Sequence, residues 1–301
     1  MSTSKTGKSK QNSSQTLPME DFGAETLVPD TPQTLSASFK PAYKDEDFLL
    51  RDELRPVRLQ LELLKPELVQ REAGINSTIV VFGSTRIPEP AKARENLQQL
   101  QSKLAKTPDD SSLIQSVAIA KRICEKSKYY EICRELTNLI TSNCQNRDVC
   151  DSVIITGGGG GIMEAANRGA SDAQGRSIGL NIILPKEQFP NAFITPELSF
   201  QFQYFALRKM HFLMRAKALI VFPGGYGTLD ELFETLTLIQ TRKIDPLPVL
   251  LFGEEYWNRV VNISALVDEG MIDPEDYNLF QFVETPLEAW NIIDQFYSQV
   301  P

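Results

Sequence analysis

The stretch that decides the fold of this chain is Leu219-Ile-Val-Phe-Pro-Gly-Gly-Tyr-Gly-Thr-Leu-Asp-Glu231. Its apolar residues at 219–222 predict a buried strand, Pro223 ends that strand, and Thr228 is predicted to open an amphipathic helix. Glycines in the intervening turn let backbone N–H groups converge on a ligand, and the N-terminus of a helix favours negative charge. The stretch therefore predicts a phosphate site made by Gly224, Gly225, Tyr226, Gly227 and Thr228.

The helix predicted after this turn keeps its acidic residues off the core-facing side. Its apolar residues recur with helical spacing: Leu229, Leu232, Phe233, Leu236 and Ile239. Glu231 is then a carboxylate held one turn from a bound phosphate. Thr228 and Glu231 also fit a capping box, T-x-x-E, which would stabilise the helix by about 1 kcal/mol. The two interpretations of Glu231 are compatible, so both stay open.

Strands alternate with helices along most of the chain. Apolar runs predict strands at residues 79–82, 153–156, 177–184, 199–204, 219–222, 248–252 and 279–283. Helices are predicted at residues 162–173, 206–217, 256–269 and 287–296. This alternation predicts an α/β fold of Rossmann-like, doubly wound type, with a mostly parallel sheet and helices on both faces. The alternating pattern at 199–204 favours an edge strand.

Three of these strands end in loops of small residues, after positions 82, 156 and 222. Ligands of such sheets bind beyond the carboxyl ends of the strands, so the three loops are predicted to line one cleft. Further candidate binding residues are Gly83, Ser84, Arg86, Gly157, Gly158 and Gly159. Arg86 is interpreted either as a residue that contacts phosphate or as an ordinary loop residue, and the sequence favours the two interpretations equally. Neither a GxxxxGK[ST] loop nor the acidic residue of a dinucleotide site is present.

The remaining segments predict one domain with additions. Residues 1–45 are rich in Ser, Thr, Gln, Lys and Pro, which predicts a disordered tail. Residues 46–301 are predicted to form a single nucleotide-binding domain with a helical extension at 46–75, where Pro56 and Pro66 mark breaks or first turns. A helical pair at about 91–127, around a turn at 107–111, is predicted to be an insertion.

Composition narrows the class of partner. The net charge of −8 argues against a general nucleic-acid or membrane-surface binder, so the expected partner is a small molecule. Neither a signal peptide nor an apolar span is evident, which predicts a cytoplasmic protein. The 4 cysteines form no CxxC and His211 is the only histidine, so we expect no metal site. His211 is interpreted as a packing residue.

The helix before the central strand carries Arg208, Lys209 and Arg215. Basic residues on a helix are most often a solvated face, and the local pattern does not distinguish that from ligand binding. Arg208 and Arg215 lie seven positions apart and therefore point the same way.

The pair Arg208-Lys209, followed by Pro223-Gly-Gly-Tyr-Gly-Thr-Leu-Asp-Glu231, resembles the signature of the LOG family. These are the cytokinin riboside 5′-monophosphate phosphoribohydrolases, long mislabelled as lysine decarboxylases. The resemblance covers roughly residues 77–300, and it leaves the tail, the helix near 50–70 and the insertion outside the short form of the family, as in a longer bacterial version. Gly160 stands where relatives often carry Pro, and Phe212 stands where short members carry Met.

The resemblance implies that Arg208 and Glu231 are catalytic, that the PGGxGT loop holds a 5′-phosphate, and that no metal or organic cofactor is required. It implies hydrolysis of AMP or an N6-substituted AMP to the free base and ribose 5-phosphate. Lys209 joins the candidate substrate-binding residues. We also expect a homodimer or a higher homo-oligomer.

Three alternatives stay open. The first is a non-catalytic carrier of a nucleotide or of molybdenum cofactor on the same fold. The second, a lysine decarboxylase, would need a Schiff-base lysine for pyridoxal phosphate, which no feature singles out. The third, a structural dimerisation module, would leave two phosphate loops without a role.

Overall fold

The computed structural model describes residues 29–145, 151–185 and 189–298. Its strands are β1 (Thr78–Phe82), β2 (Val153–Thr156), β3 (Ser177–Ile182), β4 (Ser199–Phe202), β5 (Ala216–Val221), β6 (Val249–Phe252) and β7 (Gln281–Val283). In these ranges they form one 7-stranded sheet in the order β4-β3-β2-β1-β5-β6-β7. Each neighbouring pair is parallel. The predicted α/β fold is confirmed.

The described residues also form helices. They are α1 (Glu46–Leu49), α2 (Arg55–Glu72), α3 (Pro90–Leu104), α4 (Ser111–Lys126), α5 (Lys128–Cys144), α6 (Ile162–Asp172), α7 (Phe205–Leu213), α8 (Tyr226–Gln240), α9 (Glu254–Val260), α10 (Ser264–Asp268) and α11 (Pro286–Ser298). The helical pair predicted around the turn at 107–111 is present as α3 and α4.

Two apolar clusters, one on each face of the sheet, form the core. Val80 and Phe82 pack in the cluster that contains residues of α7 and α8, whereas Ile79 and Val81 pack in the cluster that contains residues of α5, α6 and α11. Because both faces are covered, the central strands are continuous apolar runs. The edge strand β4 alternates buried and exposed residues, as predicted for 199–204.

Several element boundaries differ from the prediction. Helix α7 ends at Leu213, not near residue 217, because Ala216 already pairs with Thr78 in the sheet. The single helix predicted at 256–269 is divided into α9 and α10, since Val261 has an extended backbone. Pro66 lies within α2 without ending it, so the break considered at this position is wrong.

The chain divides into two compact units, residues 1–55 and residues 56–301. Of the first unit, residues 29–55 are described, and they form α1 and short helical turns at Ala37–Phe39, Ala42–Lys44 and Asp52–Leu54. The predicted disordered tail lies outside the described residues as far as position 28. The domain limits 46–301 stay a prediction. Among the helices described, none is both long enough and apolar enough to cross a membrane.

Candidate functional site

The three loops predicted to share one cleft lie side by side. β2, β1 and β5 are parallel neighbours in the sheet, so their carboxyl ends meet at the same edge. The strand order also reverses here, because β2, β3 and β4 extend one side of β1 while β5, β6 and β7 extend the other. Doubly wound sheets bind ligands at such a point. A cleft of about 520 Å³ lies between the loop after β1 and the start of α8.

Ser84 joins the three loops. Its backbone N–H donates to the carbonyl of Pro223 at 3.1 Å, and its own carbonyl accepts from the N–H of Ile162 at 3.2 Å. Gly161 permits the second contact, because its φ is +66° and a side chain there would collide with the carbonyl of Ser84. The loop after β1 is therefore held between the other two.

Helix α8 begins without a capping side chain. Its N-cap is Gly225, so Tyr226 is the first helical residue and Thr228 and Glu231 both lie inside the helix. The capping box predicted for Thr228 and Glu231 is wrong, because the helix starts earlier than its local sequence suggested. The N–H of Thr228 donates to the carbonyl of Gly225 at 3.0 Å. Among the described residues, the N–H groups of Tyr226 and Gly227 have no protein acceptor, so they are available to water or a ligand.

At two positions of this loop, neither the backbone conformation nor the packing requires glycine. Gly225 has a φ of −99°, and Gly227 lies in α8 without a positive φ. A β-carbon at either position would meet no atom within 4 Å. Gly224 differs, because a β-carbon there would collide with the side chain of Thr228. Gly225 and Gly227 thus keep open a space in which a ligand can approach the backbone closely.

Arg208 lines the cleft from α7. Its Nε donates to the carbonyl of Leu180 at 2.7 Å, and its guanidinium carbon lies 5.0 Å from the ring centroid of Phe212. Gly157 makes room, since a β-carbon there would lie 2.5 Å from a terminal nitrogen of Arg208. Burial lowers the pKa of Arg208, and the charge of Glu231 opposes that shift. The guanidinium is therefore oriented by the protein itself.

Glu231 is the buried carboxylate of the cleft, with 7% of its surface exposed. Burial raises the pKa of Glu231 to about 7, although the charges of Arg208 and then Lys209 act in the opposite direction. Among the residues described, no cation forms an ion pair with Glu231 within 4.0 Å. A carboxyl group with this pKa gains and loses its proton near neutral pH. General acid–base catalysis is most effective when the pKa of the catalytic group lies near the working pH.

A buried polar network holds the glycine loop after β2. Thr156 Oγ1 donates to Asn167 Oδ1 at 2.8 Å and accepts from the N–H of Gly158 at 3.0 Å. Asn191 Nδ2 donates to the same oxygen of Asn167 at 2.9 Å and to the carbonyl of Gly159 at 3.0 Å. Because these polar groups satisfy one another, the shape of the loop is set by the protein.

The cleft brings together most of the predicted site residues. Its lining includes Gly83, Ser84, Arg86, Arg208, Gly225, Tyr226, Gly227, Thr228 and Glu231. The other predicted glycines are buried and are not among the lining residues: Gly157, Gly158, Gly159 and Gly224. Lys209 does not line the cleft, because its Nζ pairs with Asp230 at 2.8 Å and with Glu234 at 3.1 Å. The site therefore contains one member of the Arg-Lys pair.

The other candidates of the α7 region lie away from the cleft. Arg215 pairs with Glu67, and His211 is 2% exposed with its ring 5.4 Å from that of Phe202. His211 is thus a packing residue, as interpreted. Within the described ranges, no group of three or more His, Cys, Asp or Glu side chains is arranged to hold a metal ion.

Some lining and supporting residues were not predicted. Phe205 and Met163 line the cleft, and Phe205 stands one helical turn before Arg208, a spacing that could have indicated it. The hydroxyl of Tyr256 donates to the carbonyl of Gly224. No local signal indicates that contact, because Tyr256 comes from α9.

Known proteins resemble this chain in sequence. Residues 163–293 match a family model described as possible lysine decarboxylase. The cytokinin riboside 5′-monophosphate phosphoribohydrolase LOG3 of Arabidopsis thaliana is 29% identical over 188 residues, which are 58% of this chain and 83% of the relative. LOG1 of the same plant is 31% identical over 167 residues, which are 51% of this chain and 73% of the relative.

A solved structure is also similar. The molybdenum cofactor binding protein of the phototrophic bacterium Rippkaea orientalis matches 56% of this chain and 88% of its own, at 20% identity and a TM-score of 0.40. The argument for kinship comes from the sequences: 31% identity across 73% of LOG1, together with Arg208-Lys209 and the PGGxGTxxE stretch. On that evidence this chain belongs to the LOG family, the family of cytokinin riboside 5′-monophosphate phosphoribohydrolases.

Proposed function

We propose that this protein hydrolyses the N-glycosidic bond of a purine nucleoside 5′-monophosphate, AMP or an N6-substituted AMP, to the free base and ribose 5-phosphate. The observation that carries the proposal is a single cleft with a buried carboxylate at Glu231, an oriented guanidinium at Arg208 and an uncapped helix N-terminus. Relatives named for this reaction, LOG1 and LOG3, support the same choice.

The 5′-phosphate would bind over the N-terminus of α8. Gly225 and Gly227 leave the space open there, and the first-turn N–H groups can donate to phosphate oxygens. The helix dipole adds about 0.3–1 kcal/mol of stabilisation for an anion, and more where the site is partly buried. Arg86 lines the same cleft and can pair with a phosphate oxygen.

Glu231 would act on the ribose. Breaking the bond between C1′ and the base develops positive charge on the sugar, and an ionised carboxylate stabilises that charge. The same carboxylate can take a proton from water as the water oxygen attacks C1′. The C1′–N9 bond breaks, the base leaves with its electron pair and takes a proton from solvent, and Glu231 then returns the proton of the attacking water to solvent. Because the pKa of Glu231 is about 7, ionised and protonated forms are both populated near neutral pH.

Arg208 would position the nucleotide. Its Nε is committed to the carbonyl of Leu180, which leaves the terminal nitrogens for a phosphate or ribose oxygen. Its charge also restrains the rise in the pKa of Glu231, so part of that carboxyl stays ionised at neutral pH.

The test is incubation with AMP, isopentenyl-AMP and adenosine, with released base and ribose 5-phosphate measured. We expect the nucleotides to be hydrolysed and adenosine to react with a kcat/KM lower by about 100-fold or more, because binding energy from the phosphate is lost. Equal turnover of AMP and adenosine would contradict the phosphate site. Tight binding of AMP without release of base would instead favour a carrier.

Two further expectations belong to this proposal. A homodimer or higher homo-oligomer stays a prediction, which light scattering on the purified protein measures. The cytoplasmic location also stays a prediction.

A pyridoxal chromophore in the purified protein would favour lysine decarboxylation over nucleotide hydrolysis.

A further inference from the structure

A second pocket, of about 500 Å³, lies among α4, α5 and α9. We call it the cationic pocket, because its lining includes Arg122, Lys126, Lys128 and Arg259. It has no lining residue in common with the cleft that contains Glu231. Its volume is typical of a pocket for a small molecule.

The charge of the cationic pocket is unbalanced. Its four basic side chains face two carboxylates, Glu125 and Glu255, although the chain as a whole has a net charge of −8. In the part of the chain that is described, none of the four basic residues forms an ion pair within 4.0 Å. Cations that share a concave surface and lack acidic partners attract an anion.

Two tyrosines orient the lysines of the cationic pocket. Lys128 Nζ lies 5.0 Å from the ring centroid of Tyr129, and Lys126 Nζ lies 5.9 Å from that of Tyr256. Lys126 Nζ also donates to the carbonyl of Arg122 at 3.5 Å. Aromatic rings and carbonyls hold an ammonium group in place without neutralising its charge.

The same tyrosines contact the phosphate loop of the cleft. The hydroxyl of Tyr256 donates to the carbonyl of Gly224, and the ring of Tyr129 packs edge-on against Phe222 with centroids 6.2 Å apart. Phe222 and Gly224 flank Pro223, at the point where β5 gives way to α8. A displacement of either tyrosine would therefore reach the loop that opens α8.

We propose that the cationic pocket is a second anion site, which binds a small molecule with two or more phosphate groups and which alters nucleotide affinity in the cleft through Tyr256 and Gly224. A ligand with two or more negative charges matches the excess of two positive charges in the lining. Arg122 and Lys126 come from α4, which lies outside residues 163–293 that match the family model. Binding in the pocket is independent of the proposed function, whereas the coupling rests on it.

The probe for the site is inorganic pyrophosphate, whose binding to the full chain is measured by calorimetry. The pocket variant Lys126→Gln/Arg259→Gln removes two cations from the lining, while the control Lys121→Gln/Lys103→Gln removes two exposed cations of α4 and α3 outside it. We expect affinity to fall at least about tenfold in the pocket variant, and to stay unchanged in the control and in Arg208→Gln.

Three results would overturn the site. They are no binding to the wild type, equal weakening in the pocket variant and the control, and binding that is lost in Arg208→Gln but kept in the pocket variant. The last result would place pyrophosphate in the cleft. Arg259, Lys121 and Lys103 are exposed and Lys126 is half-buried, so thermal unfolding is used to match the folded fractions of the variant and the control.

The coupling is tested by AMP binding with and without saturating pyrophosphate. A linked site changes AMP affinity by about 5–150-fold, and AMP changes pyrophosphate affinity by the same factor. Tyr256→Phe keeps the ring but removes the hydroxyl, so it should bind pyrophosphate and lose the effect on AMP. Unchanged AMP affinity in the wild type overturns the coupling, and so does an effect that persists in the pocket variant, since that is competition in the cleft. Failure of AMP to bind at all would contradict the proposed function and leave the site standing.

Discussion

Glu67 of α2 and Arg215, beyond the end of α7, form a two-point ion pair with N–O distances of 2.6 and 2.7 Å. At the other end of α7, the carboxylate of Glu62 accepts from two backbone N–H groups, at 2.6 and 3.1 Å. The α2 helix is thus joined to both ends of the helix that carries Arg208. We infer that Glu62 and Glu67 position α7, and with it Arg208, at the cleft.

Removal of the Glu62 carboxylate, which connects α2 to the start of α7, should reduce activity as well as stability. We expect Glu62→Ala to lower the free energy of unfolding by about 1.5–3 kcal/mol, the range for a hydrogen bond to a charged group. We also expect kcat/KM to fall several-fold per folded molecule, with partial rescue in Glu62→Gln, which keeps one acceptor. Denaturant titration and AMP kinetics on the same samples measure both. Glu72→Ala, an exposed position of α2, is the control. A loss of stability with unchanged kinetics would contradict positioning.

Removal of the charge of Glu231 should nearly stop turnover. In Glu231→Gln we expect kcat to fall about 100-fold or more, because the transition state loses its stabilising carboxylate, while AMP affinity changes little. Glu234→Gln is a matched control on α8, outside the cleft lining and paired with Lys209. A kcat near that of the wild type in Glu231→Gln would contradict the assignment of Glu231 as a catalytic residue.

The same variant should be more stable than the wild type at alkaline pH. Burial raises the pKa of Glu231 from 4.5 to about 7, so the folded protein keeps a proton that the unfolded chain has lost. Stability from this group is therefore complete below about pH 4.5 and is lost as the pH rises through 7, a loss of about 3 kcal/mol. We expect Glu231→Gln to melt on the order of 5–10 °C higher at pH 8 and unchanged at pH 4.5. Thermal unfolding of both proteins from pH 4.5 to pH 8 measures this difference. A difference in melting temperature that does not change with pH would contradict a raised pKa for Glu231.

Gly227 should separate stability from ligand binding. Because Gly227 lies within α8 with open space around it, Gly227→Ala should stabilise the protein by about 0.5–1 kcal/mol. The added methyl group would occupy space proposed for phosphate, so we expect KM for AMP to rise about tenfold or more. Gly224→Ala should instead lose stability, since its β-carbon collides with Thr228. An unchanged KM in Gly227→Ala would place the phosphate elsewhere.

Arg208 should need its guanidinium shape as well as its charge. Arg208→Lys keeps a positive charge but cannot both donate to the carbonyl of Leu180 and present a fork to the ligand. We expect kcat/KM to fall on the order of 100-fold in this variant. The control is Lys243→Gln, at an exposed position just beyond the end of α8 and outside the cleft lining, which should stay at wild-type level. Full activity in Arg208→Lys would show that only charge matters.

The sheet and its loops could be predicted from sequence because their signals are local. Continuous apolar runs identify strands buried on both faces, and the small residues that follow them identify the loops at the ligand edge. The start of α8 could not be predicted in this way. Thr228 and Glu231 satisfy a capping pattern, but the extended backbone of Gly225 sets the first turn.

Arg208 and Arg215 show what a local sequence pattern cannot predict. Both are basic residues on one side of the same segment, and their spacing gives no reason to separate them. Arg208 bonds to a carbonyl 28 positions away, in β3, whereas Arg215 pairs with a carboxylate 148 positions away, in α2. Their different roles, and the raised pKa of Glu231, depend on which distant elements pack around them.

The central place of β1 in the sheet matters for the order in which the chain is made. Thr78 pairs with Val153 and with Ala216, which are synthesised 75 (153 − 78) and 138 (216 − 78) residues later. At ordinary translation rates of about 5–20 residues per second, β1 waits about 7–28 s for its second neighbour. Until then one apolar edge is open to pairing with other chains. A ribosome-bound chain that stops before residue 216 therefore lacks the cleft that contains Glu231, and it offers chaperones the strand that will later form the centre of the sheet.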